Sequence, residues 1–337
     1  MIPEINISTL FLGPCKARDA TDDEIYRAAS DIGFLTITGV PGDCLTSENR
    51  KVLLSLFDIN TDQKRKLMRR SFAPENPYIY RGWFGLQEGH ATYKEGIDIG
   101  PDLIYPNRPI DPTDPLTEHT PLPKLRTWRL AAETYYRDMS NTAQVLTQSL
   151  ARGLGLSEDY FSPSFEEQIS TLRLIHYPIR TNKSFRKNEN EFWIKHNGEP
   201  RYLLGVDHID SGFMTLLAQD GVEGLQAKMR NGDWITVPPR DGALAVNFGK
   251  LLERWTGHKV RATSHRVIGQ GLVRHSIPFF YEPSINAVIS HIPNCGEPFS
   301  PVTYGDHLWE ATTKFVEQVG VANLRKPRGL QSTEISG

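Results

Sequence analysis

Three side chains in the second half of the chain have the types and the spacing of a metal site. His208 and Asp210 are two residues apart, so in an extended strand both point to the same face, while Ile209 points to the other. His265 follows 55 residues later, which leaves enough chain for several hairpins to fold back and bring it to the same place. Two imidazoles and one carboxylate can hold a divalent metal ion on one side and leave its other side open.

Arg274 and Ser276 extend this pattern toward a second binding group. They are again two residues apart and share one strand face, while His275 points away. The guanidinium group is a planar, permanently charged fork that suits a carboxylate, and the serine hydroxyl adds a donor. A metal held by two histidines and an aspartate is typical of non-haem Fe(II) oxygenases. In that setting the metal would chelate the 2-oxo acid end of 2-oxoglutarate, and Arg274 and Ser276 would hold its far carboxylate.

Several short motifs around these residues occur in one order along the chain. They are His208-Ile209-Asp210-Ser211-Gly212, Thr215-Leu216-Leu217, Gly224-Leu225-Gln226, Ser264-His265-Arg266-Val267 and Arg274-His275-Ser276-Ile277-Pro278-Phe279-Phe280. In this combination the chain resembles the 2-oxoglutarate/Fe(II)-dependent dioxygenases of the isopenicillin N synthase-like superfamily. The N-terminal stretches Ile-Pro-Glu-Ile-Asn-Ile and Gly-Phe-Leu-Thr-Ile-Thr-Gly-Val fit as well, so the resemblance covers most of the chain.

The resemblance implies a mainly β fold with helices: a double-stranded β-helix, or jelly roll, flanked by N-terminal and C-terminal helices. It implies Fe(II) on His208, Asp210 and His265, with 2-oxoglutarate and O2 as co-substrates and ascorbate as a candidate reductant. Tyr177 matches a family position that can contact 2-oxoglutarate, whereas Ile175 stands where relatives often have an asparagine. We expect Tyr177 to help Arg274 bind the co-substrate.

The implied reaction is oxidation of a small organic molecule by hydroxylation, desaturation or ring closure, with release of succinate and CO2. Three alternatives remain open from the sequence. The enzyme could work without 2-oxoglutarate, like isopenicillin N synthase or an ascorbate-dependent oxidase. It could modify a protein, or it could be a non-catalytic jelly-roll binding protein that keeps a relic of the metal site. The sequence does not identify the substrate.

Composition narrows the class of protein further. The 337 residues are 39% hydrophobic and 23% charged, with a formal net charge of −2. A nearly neutral chain gives no reason to expect a nucleic acid partner, and no apolar run approaches the roughly 18 residues of a membrane span. The first residues show no signal-peptide pattern, and three widely spaced cysteines do not form a disulfide framework. We therefore expect a cytoplasmic protein without membrane or nucleic acid partners, of open oligomeric state.

Periodicity places the supporting elements. Thr21 with Glu24 three residues later resembles a capping box, which predicts a helix that begins there. A cluster of basic residues between Lys64 and Arg70 predicts a solvent-exposed helix face. Apolar residues at three- and four-residue steps predict a long helix over 122–152. Asn-Gly at 231–232 predicts a hairpin, and a last helix is expected over 304–319. These elements suggest one catalytic unit, with 1–120 walling the substrate pocket, 121–169 as a supporting helix, 170–290 as the jelly-roll core and 291–337 as a C-terminal helix and tail.

Candidate substrate contacts lie in two segments. Residues 71–120 are rich in aromatic side chains, among them Trp83 and Phe84, and resemble the part of the family that walls the pocket. Residues 179–205 form a long polar connection between Tyr177 and His208. Because long insertions beside an active site are often lids, we expect this segment to cover the barrel mouth. Phe192 and Trp193 are its first candidates for substrate contact, with Arg186 and Lys195 as weaker ones.

Overall fold

Two curved sheets form the centre of the computed structural model, which describes residues 1–185, 189–318 and 320–330. The larger sheet has the strand order β1-β2-β11-β8-β13-β5-β4-β3, and the smaller one β10-β9-β12-β7-β6. Apart from the parallel pair β1–β2, neighbouring strands are antiparallel. The strands are β1 (Glu4–Asn6), β2 (Phe34–Thr38), β3 (Gly82–Phe84), β4 (Glu95–Ile99), β5 (Thr171–Tyr177), β6 (Trp193–His196), β7 (Glu199–His208), β8 (Met214–Gln219), β9 (Leu225–Lys228), β10 (Trp234–Thr236), β11 (Leu244–Phe248), β12 (His265–Gly269), β13 (Arg274–Tyr281), β14 (Val288–Ile289) and β15 (Val302–Thr303).

Side-chain alternation along the strands divides the apolar core into two layers. On β8, Leu217 packs with an inner cluster that contains residues of both sheets, such as Tyr177 and Val267. Its neighbour Leu216 belongs to the larger outer cluster, which also contains apolar residues of the helices. Two facing sheets with helices packed outside are the expected jelly roll, so the predicted fold class is confirmed.

Within the described ranges, six α-helices accompany the sheets: α1 (Lys16–Asp31), α2 (Ser47–Leu54), α3 (Thr61–Leu67), α4 (Arg126–Gly153), α5 (Lys250–Trp255) and α6 (Tyr304–Thr312). The longest, α4, lies against the outer face of the larger sheet, where Tyr136 meets Phe279 edge to face at 5.0 Å between ring centroids. It begins at Arg126 rather than at 122, because residue 122 precedes Pro123 and is thereby biased away from helical geometry.

Two other predicted helix ends are wrong. Helix α1 begins at Lys16, and Thr21 lies inside it with its hydroxyl donating to the Ala17 carbonyl at 3.1 Å. That bond within the helix replaces the capping role. Helix α6 ends at Thr312 instead of 319, where Thr312 and Thr313 bond back to carbonyls four residues earlier. β-branched residues favour helices weakly, and the chain continues in a 3-10 turn at Val316–Gln318.

The predicted hairpin agrees with the structure. The Asn231-Gly232 hairpin joins β9 to β10, with Gly232 at φ 93°, a left-handed conformation that favours glycine. Cys15, Cys44 and Cys295 are free thiols. Within the described ranges, none of the helices has the length and apolar character needed to cross a bilayer.

Candidate active site

Three strands bring the predicted metal ligands together. His208 ends β7, Asp210 follows in the turn before β8, and His265 begins β12. Strands β7 and β12 are antiparallel neighbours with His208 and His265 as direct partners in the register. Nε2 of each imidazole lies 3.6 Å from Asp210 Oδ1, and one ligand atom from each residue lies within 4.8 Å of the other two.

The remaining polar atoms of the triad are held by hydrogen bonds. Nδ1 of His208 lies 2.9 Å from the Val206 carbonyl, and Nδ1 of His265 lies 3.2 Å from the Thr263 carbonyl. A carbonyl only accepts, so each Nδ1 carries the proton and each Nε2 keeps its lone pair for a metal. Asp210 Oδ2 accepts from Thr215 Oγ1 at 2.6 Å and from Asn247 Nδ2 at 2.8 Å, and its Oδ1 faces both imidazoles.

The electrostatics of the triad also favour the metal-binding protonation states. Burial and the neighbouring His265 lower the pKa of His208 to about 4. Burial opposes ionisation of Asp210, but the two imidazoles and the two hydrogen bonds outweigh it and hold the pKa of that carboxyl at about 2. At neutral pH the site therefore offers a neutral imidazole and a carboxylate, which suit Fe(II) and similar divalent transition metals.

Arg274 lies on the inner face of β13 and is 1% exposed. Its Nη2 donates to Gln219 Oε1 at 3.1 Å, and its guanidinium carbon lies 5.0 Å from the centre of the Tyr177 ring. Within the described part of the chain, its buried Nε and Nη1 have no hydrogen-bond partner. A buried guanidinium with two unpaired nitrogens is costly unless an anion binds there.

Ser276 and Tyr177 occupy the same region. Arg274 is the register partner of Tyr177, and Ser276 is the partner of Ile175, on the adjacent strand β5. All four belong to the inner face, and Ser276 and Tyr177 are 2% and 4% exposed. The unpaired guanidinium nitrogens therefore fit the carboxylate that 2-oxoglutarate would bring, with a hydroxyl and a phenol close by.

A cavity of about 440 Å³ opens beside the triad and includes His208 and Asp210 in its wall. Its floor is the inner face of the larger sheet, with Thr171 and Phe280, and its opposite side is the C-terminal segment, with Phe315. This volume suits a small organic molecule. The cavity is the one place among the described residues where a substrate of that size meets the triad.

Several charged side chains that line this cavity, and Arg69 behind them, were not predicted as site residues. Arg173 Nη2 lies 2.8 Å from Asp98 Oδ2, its Nε also donates to that carboxylate, and Arg69 donates to the same carboxylate from behind. Lys94 Nζ lies 2.8 Å from Glu317 Oε1 in the C-terminal segment. The prediction of a solvent-exposed basic face is wrong for Arg69, which is fully buried.

Glu282 adds a buried carboxyl to the cavity wall. Burial, together with the nearby charge of Asp210, raises the pKa of Glu282 well above its usual range. Its side chain accepts from the Tyr304 hydroxyl. A Cβ atom on Gly212 would lie 2.2 Å from Glu282 Oε1, which explains the glycine in the sequence His-Ile-Asp-Ser-Gly.

The aromatic substrate candidates lie elsewhere. Trp83 is fully buried and packs edge to face on Phe57 at 5.3 Å, outside the cavity. Phe84 lies beneath the guanidinium groups of Arg69 and Arg173, at 5.3 and 5.2 Å. It therefore supports a cavity residue, and the cavity lining among the described residues does not include it.

The segment 179–205 contributes mainly an edge strand. Strand β6 pairs with the first half of β7, so Trp193 and Lys195 lie on a hairpin at the margin of the smaller sheet. Trp193 is 42% exposed and Phe192 is 3% exposed, next to the Arg180 guanidinium at 4.8 Å. Neither aromatic residue is in the described cavity wall, whereas Gly205 at the end of the segment is. Arg186 lies outside the described residues.

Comparison with known proteins gives one consistent family. Residues 194–283 match the model of the 2OG-Fe(II) oxygenase superfamily. The chain is 30% identical over 306 residues to proline hydroxylase buaE of Petromyces alliaceus (82% of this chain, 86% of that protein). It is 28% identical to isopenicillin N synthase of Streptomyces clavuligerus (91% and 93%). The fold is similar to that of a Neurospora crassa protein solved in complex with alpha-KG and thymine, with a TM-score of 0.75 at 22% identity (93% and 97%). The chain therefore belongs to the 2-oxoglutarate/Fe(II) oxygenase superfamily, as a non-haem iron oxidoreductase that uses 2-oxoglutarate and O2.

Proposed function

We propose that this protein oxidises a small organic molecule at an Fe(II) ion held by His208, Asp210 and His265, with Arg274 binding the distal carboxylate of 2-oxoglutarate. The observation that carries the proposal is the buried Arg274, whose Nε and Nη1 have no protein partner among the described residues, on the inner face that continues from the triad. A solved neighbour binds alpha-KG together with thymine, which supports a small-molecule substrate.

The bound iron and 2-oxoglutarate supply an oxidant made from O2, with succinate and CO2 as the products of the co-substrate. The chain would provide two imidazoles and one carboxylate as ligands of the metal. The Val206 and Thr263 carbonyls fix which imidazole nitrogen faces it. Asp210 keeps Oδ1 for the metal because Thr215 and Asn247 occupy Oδ2. The ligands are thus oriented before the metal arrives.

Arg274, Ser276 and Tyr177 position the co-substrate. The Arg274 guanidinium would pair with the distal carboxylate and the Ser276 hydroxyl would donate to it, while the Tyr177 ring covers the guanidinium face. The cavity beside the triad would hold the substrate, and its residues take the role expected of Trp83, Phe84, Phe192 and Trp193. Which C–H bond lies nearest the metal then decides between hydroxylation, desaturation and ring closure.

We further propose that the chain works as one cytoplasmic catalytic unit. Residues 170–290 form its core, 1–120 its pocket wall, 121–169 its supporting helix and 291–337 its C-terminal helix and tail. Free cysteines support a reducing compartment. Phe315 and Glu317, which follow the C-terminal helix, lie in the cavity wall and support the proposal of one catalytic unit.

The direct test is oxygen uptake and succinate release by the protein loaded with Fe(II) and 2-oxoglutarate, screened against a library of small metabolites. We expect succinate in proportion to oxidised substrate. Oxygen uptake without 2-oxoglutarate would instead favour an oxidase like the isopenicillin N synthases to which the chain is similar. Absence of uptake with every compound, despite tight Fe(II) binding, would favour a binding protein.

A further inference from the structure

A group of paired charges at the cavity carries more positive than negative charge. Arg173 and Lys94 line the cavity and Arg69 lies behind it, and these three cations share two anions, Asp98 and Glu317. Arginine keeps its charge at any physiological pH, so the surplus cannot be removed by deprotonation. Buried charge without a partner is costly. A ligand that brings one negative charge would balance the wall.

Arg173 and Asp98 form an ion pair in which both groups stay ionised. Burial disfavours the Asp98 carboxylate, but Arg173 and Arg69 outweigh it and hold the pKa of that carboxyl well below its usual range. Arg173 uses Nε and Nη2 for Asp98. Among the residues that the structure describes, no acceptor bonds to its Nη1. Its side chain is 20% exposed, and the residue lines the cavity. One guanidinium nitrogen therefore remains for a ligand.

Lys94 lies on the same face and is bound by a removable partner. Lys94 immediately precedes β4 and has the same parity as Asp98 in that strand, and both residues line the cavity. Its partner Glu317 comes from the short 3-10 turn after α6, not from the sheet. The positive charge of Arg173 also helps to lower the pKa of Glu317. The Glu317 carboxylate thus occupies the position at Lys94 where the carboxylate of a ligand would bind.

We propose that the cavity binds a substrate that carries a carboxylate, and that Lys94 and Arg173 bind this group while the rest of the molecule extends toward the metal ligands. The inference rests on the proposed function, because it names the substrate class of that site. Glu317 competes with the substrate carboxylate for Lys94. Phe280 and Phe315, which also line the cavity, provide apolar contacts for the remainder of the molecule.

The test compares carboxylates with uncharged molecules of nearly the same shape. Benzoate, phenylacetate and hexanoate, each with its primary amide, are titrated calorimetrically into the full-length protein loaded with Mn(II) and 2-oxoglutarate without oxygen. We expect at least one acid to bind about tenfold or more tightly than its amide. If no acid binds more tightly than its amide, the proposal is wrong.

Two variants test whether Lys94 and Glu317 cause the preference for acids over amides. Lys94→Gln should weaken binding of that acid about tenfold and leave binding of the amide unchanged. Glu317→Gln removes the internal competitor and should strengthen binding of the acid. Lys314→Gln is the matched control: it also lines the cavity, but its side chain is 69% exposed and solvent screens its charge. An equal loss in Lys94→Gln and Lys314→Gln, or weaker acid binding in Glu317→Gln, would contradict the assignment.

These measurements separate the two proposals, because binding is read without turnover. A protein that binds acids but never releases succinate contradicts the proposed function alone. A protein that releases succinate with neutral substrates and shows no preference for acids contradicts the substrate class alone.

Discussion

Replacing Arg274 by Ala should abolish tight binding of 2-oxoglutarate without unfolding the protein. The guanidinium is 1% exposed, and two of its nitrogens have no partner in the described part of the chain. Loss of a hydrogen-bonded charge pair in a buried site costs about 2–5 kcal/mol. At about 1.4 kcal/mol for each factor of ten, the Kd for 2-oxoglutarate should rise roughly 30-fold to several-thousand-fold.

The free energy of unfolding of the ligand-free variant provides a second, independent reading. In the absence of ligand, Arg274 makes one side-chain hydrogen bond, to Gln219, and contributes two buried unpaired nitrogens. The hydrogen bond stabilises by about 1 kcal/mol and each of the two unpaired donors costs about 1 kcal/mol or more, so removing the guanidinium should not strongly destabilise the ligand-free protein. A structural salt bridge would instead make the substitution strongly destabilising. In Arg274→Ala, the affinity for 2-oxoglutarate should therefore change far more than the free energy of unfolding.

Calorimetric titration of 2-oxoglutarate into the Mn(II)-loaded protein without oxygen measures the affinity, and urea unfolding measures the stability. Arg274→Lys should restore part of the affinity, because it keeps the charge but loses the fork. Arg240→Ala is the control, since Arg240 pairs with Glu4 in an exposed salt bridge whose loss costs little. A Kd for 2-oxoglutarate within threefold of the unmodified protein in Arg274→Ala would refute the role assigned to this residue.

Three further substitutions test the metal site and the cavity wall. His265→Ala should lose stoichiometric Co(II) binding in equilibrium dialysis, because only two ligands remain; retained binding would show that the metal lies elsewhere. Burial disfavours the Glu317 carboxylate, but Lys94 and then Arg173 outweigh it and lower its pKa to about 2. Because this pKa is depressed, the pair stabilises the fold above the ordinary glutamate pKa of 4.5 and loses that effect as the pH falls through about 2. Glu317→Gln should thus lower the free energy of unfolding by about 3 kcal/mol at pH 7. In urea titrations this loss of stability should disappear as the pH approaches 2. A loss of stability that does not depend on pH would contradict the reasoning. Gly212→Ala places a Cβ 2.2 Å from Glu282 Oε1 and should cost roughly 1–3 kcal/mol of stability, so an unchanged urea midpoint would show that Glu282 moves aside freely.

The sequence predicts the metal triad well because local geometry determines most of it. Residues two apart on a strand share a face, so His208 and Asp210 are related without any knowledge of the fold. The same holds for Arg274 and Ser276. The spacing does not predict that His265 is the register partner of His208. That register depends on the pairing of β12 with β7. The resemblance to a known family supplied that part.

The charged wall of the cavity could not be predicted in the same way. Arg69, Asp98 and Arg173 come from three separate segments, and their pairing appears only when β4 and β5 lie side by side. Arg69 also follows a run of basic residues that does face solvent in part. The one available signal was parity, because Arg173 shares a face with Tyr177. Aromatic content, by contrast, pointed to Trp83, which packs in the outer core.

The proposed sites for the 2-oxoglutarate carboxylate and for the substrate carboxylate lie on the inner face of one sheet, and their difference in burial has a testable consequence. Tyr177, beside Arg274, and Arg173 are four residues apart on β5, about 13 Å. Since 2-oxoglutarate is itself a dicarboxylate, it should bind a second time at Lys94 and Arg173 when its concentration is high.

The second binding event should be much weaker than the first. Arg274 is almost fully buried and its ligand also chelates the metal, whereas the Arg173 side chain is 20% exposed and Glu317 already occupies Lys94. A partly exposed pair contributes less than the about 2–5 kcal/mol of a buried one, so we expect the Kd of the second event to be at least several-fold higher before chelation is added. Calorimetric titration of the Mn(II)-loaded protein to millimolar 2-oxoglutarate should resolve a weak second event that Lys94→Gln removes and Arg274→Ala preserves. If the titration fits a single site, or if the weak event persists in Lys94→Gln, the cavity wall does not select carboxylates and the surplus charge there has a purely structural role.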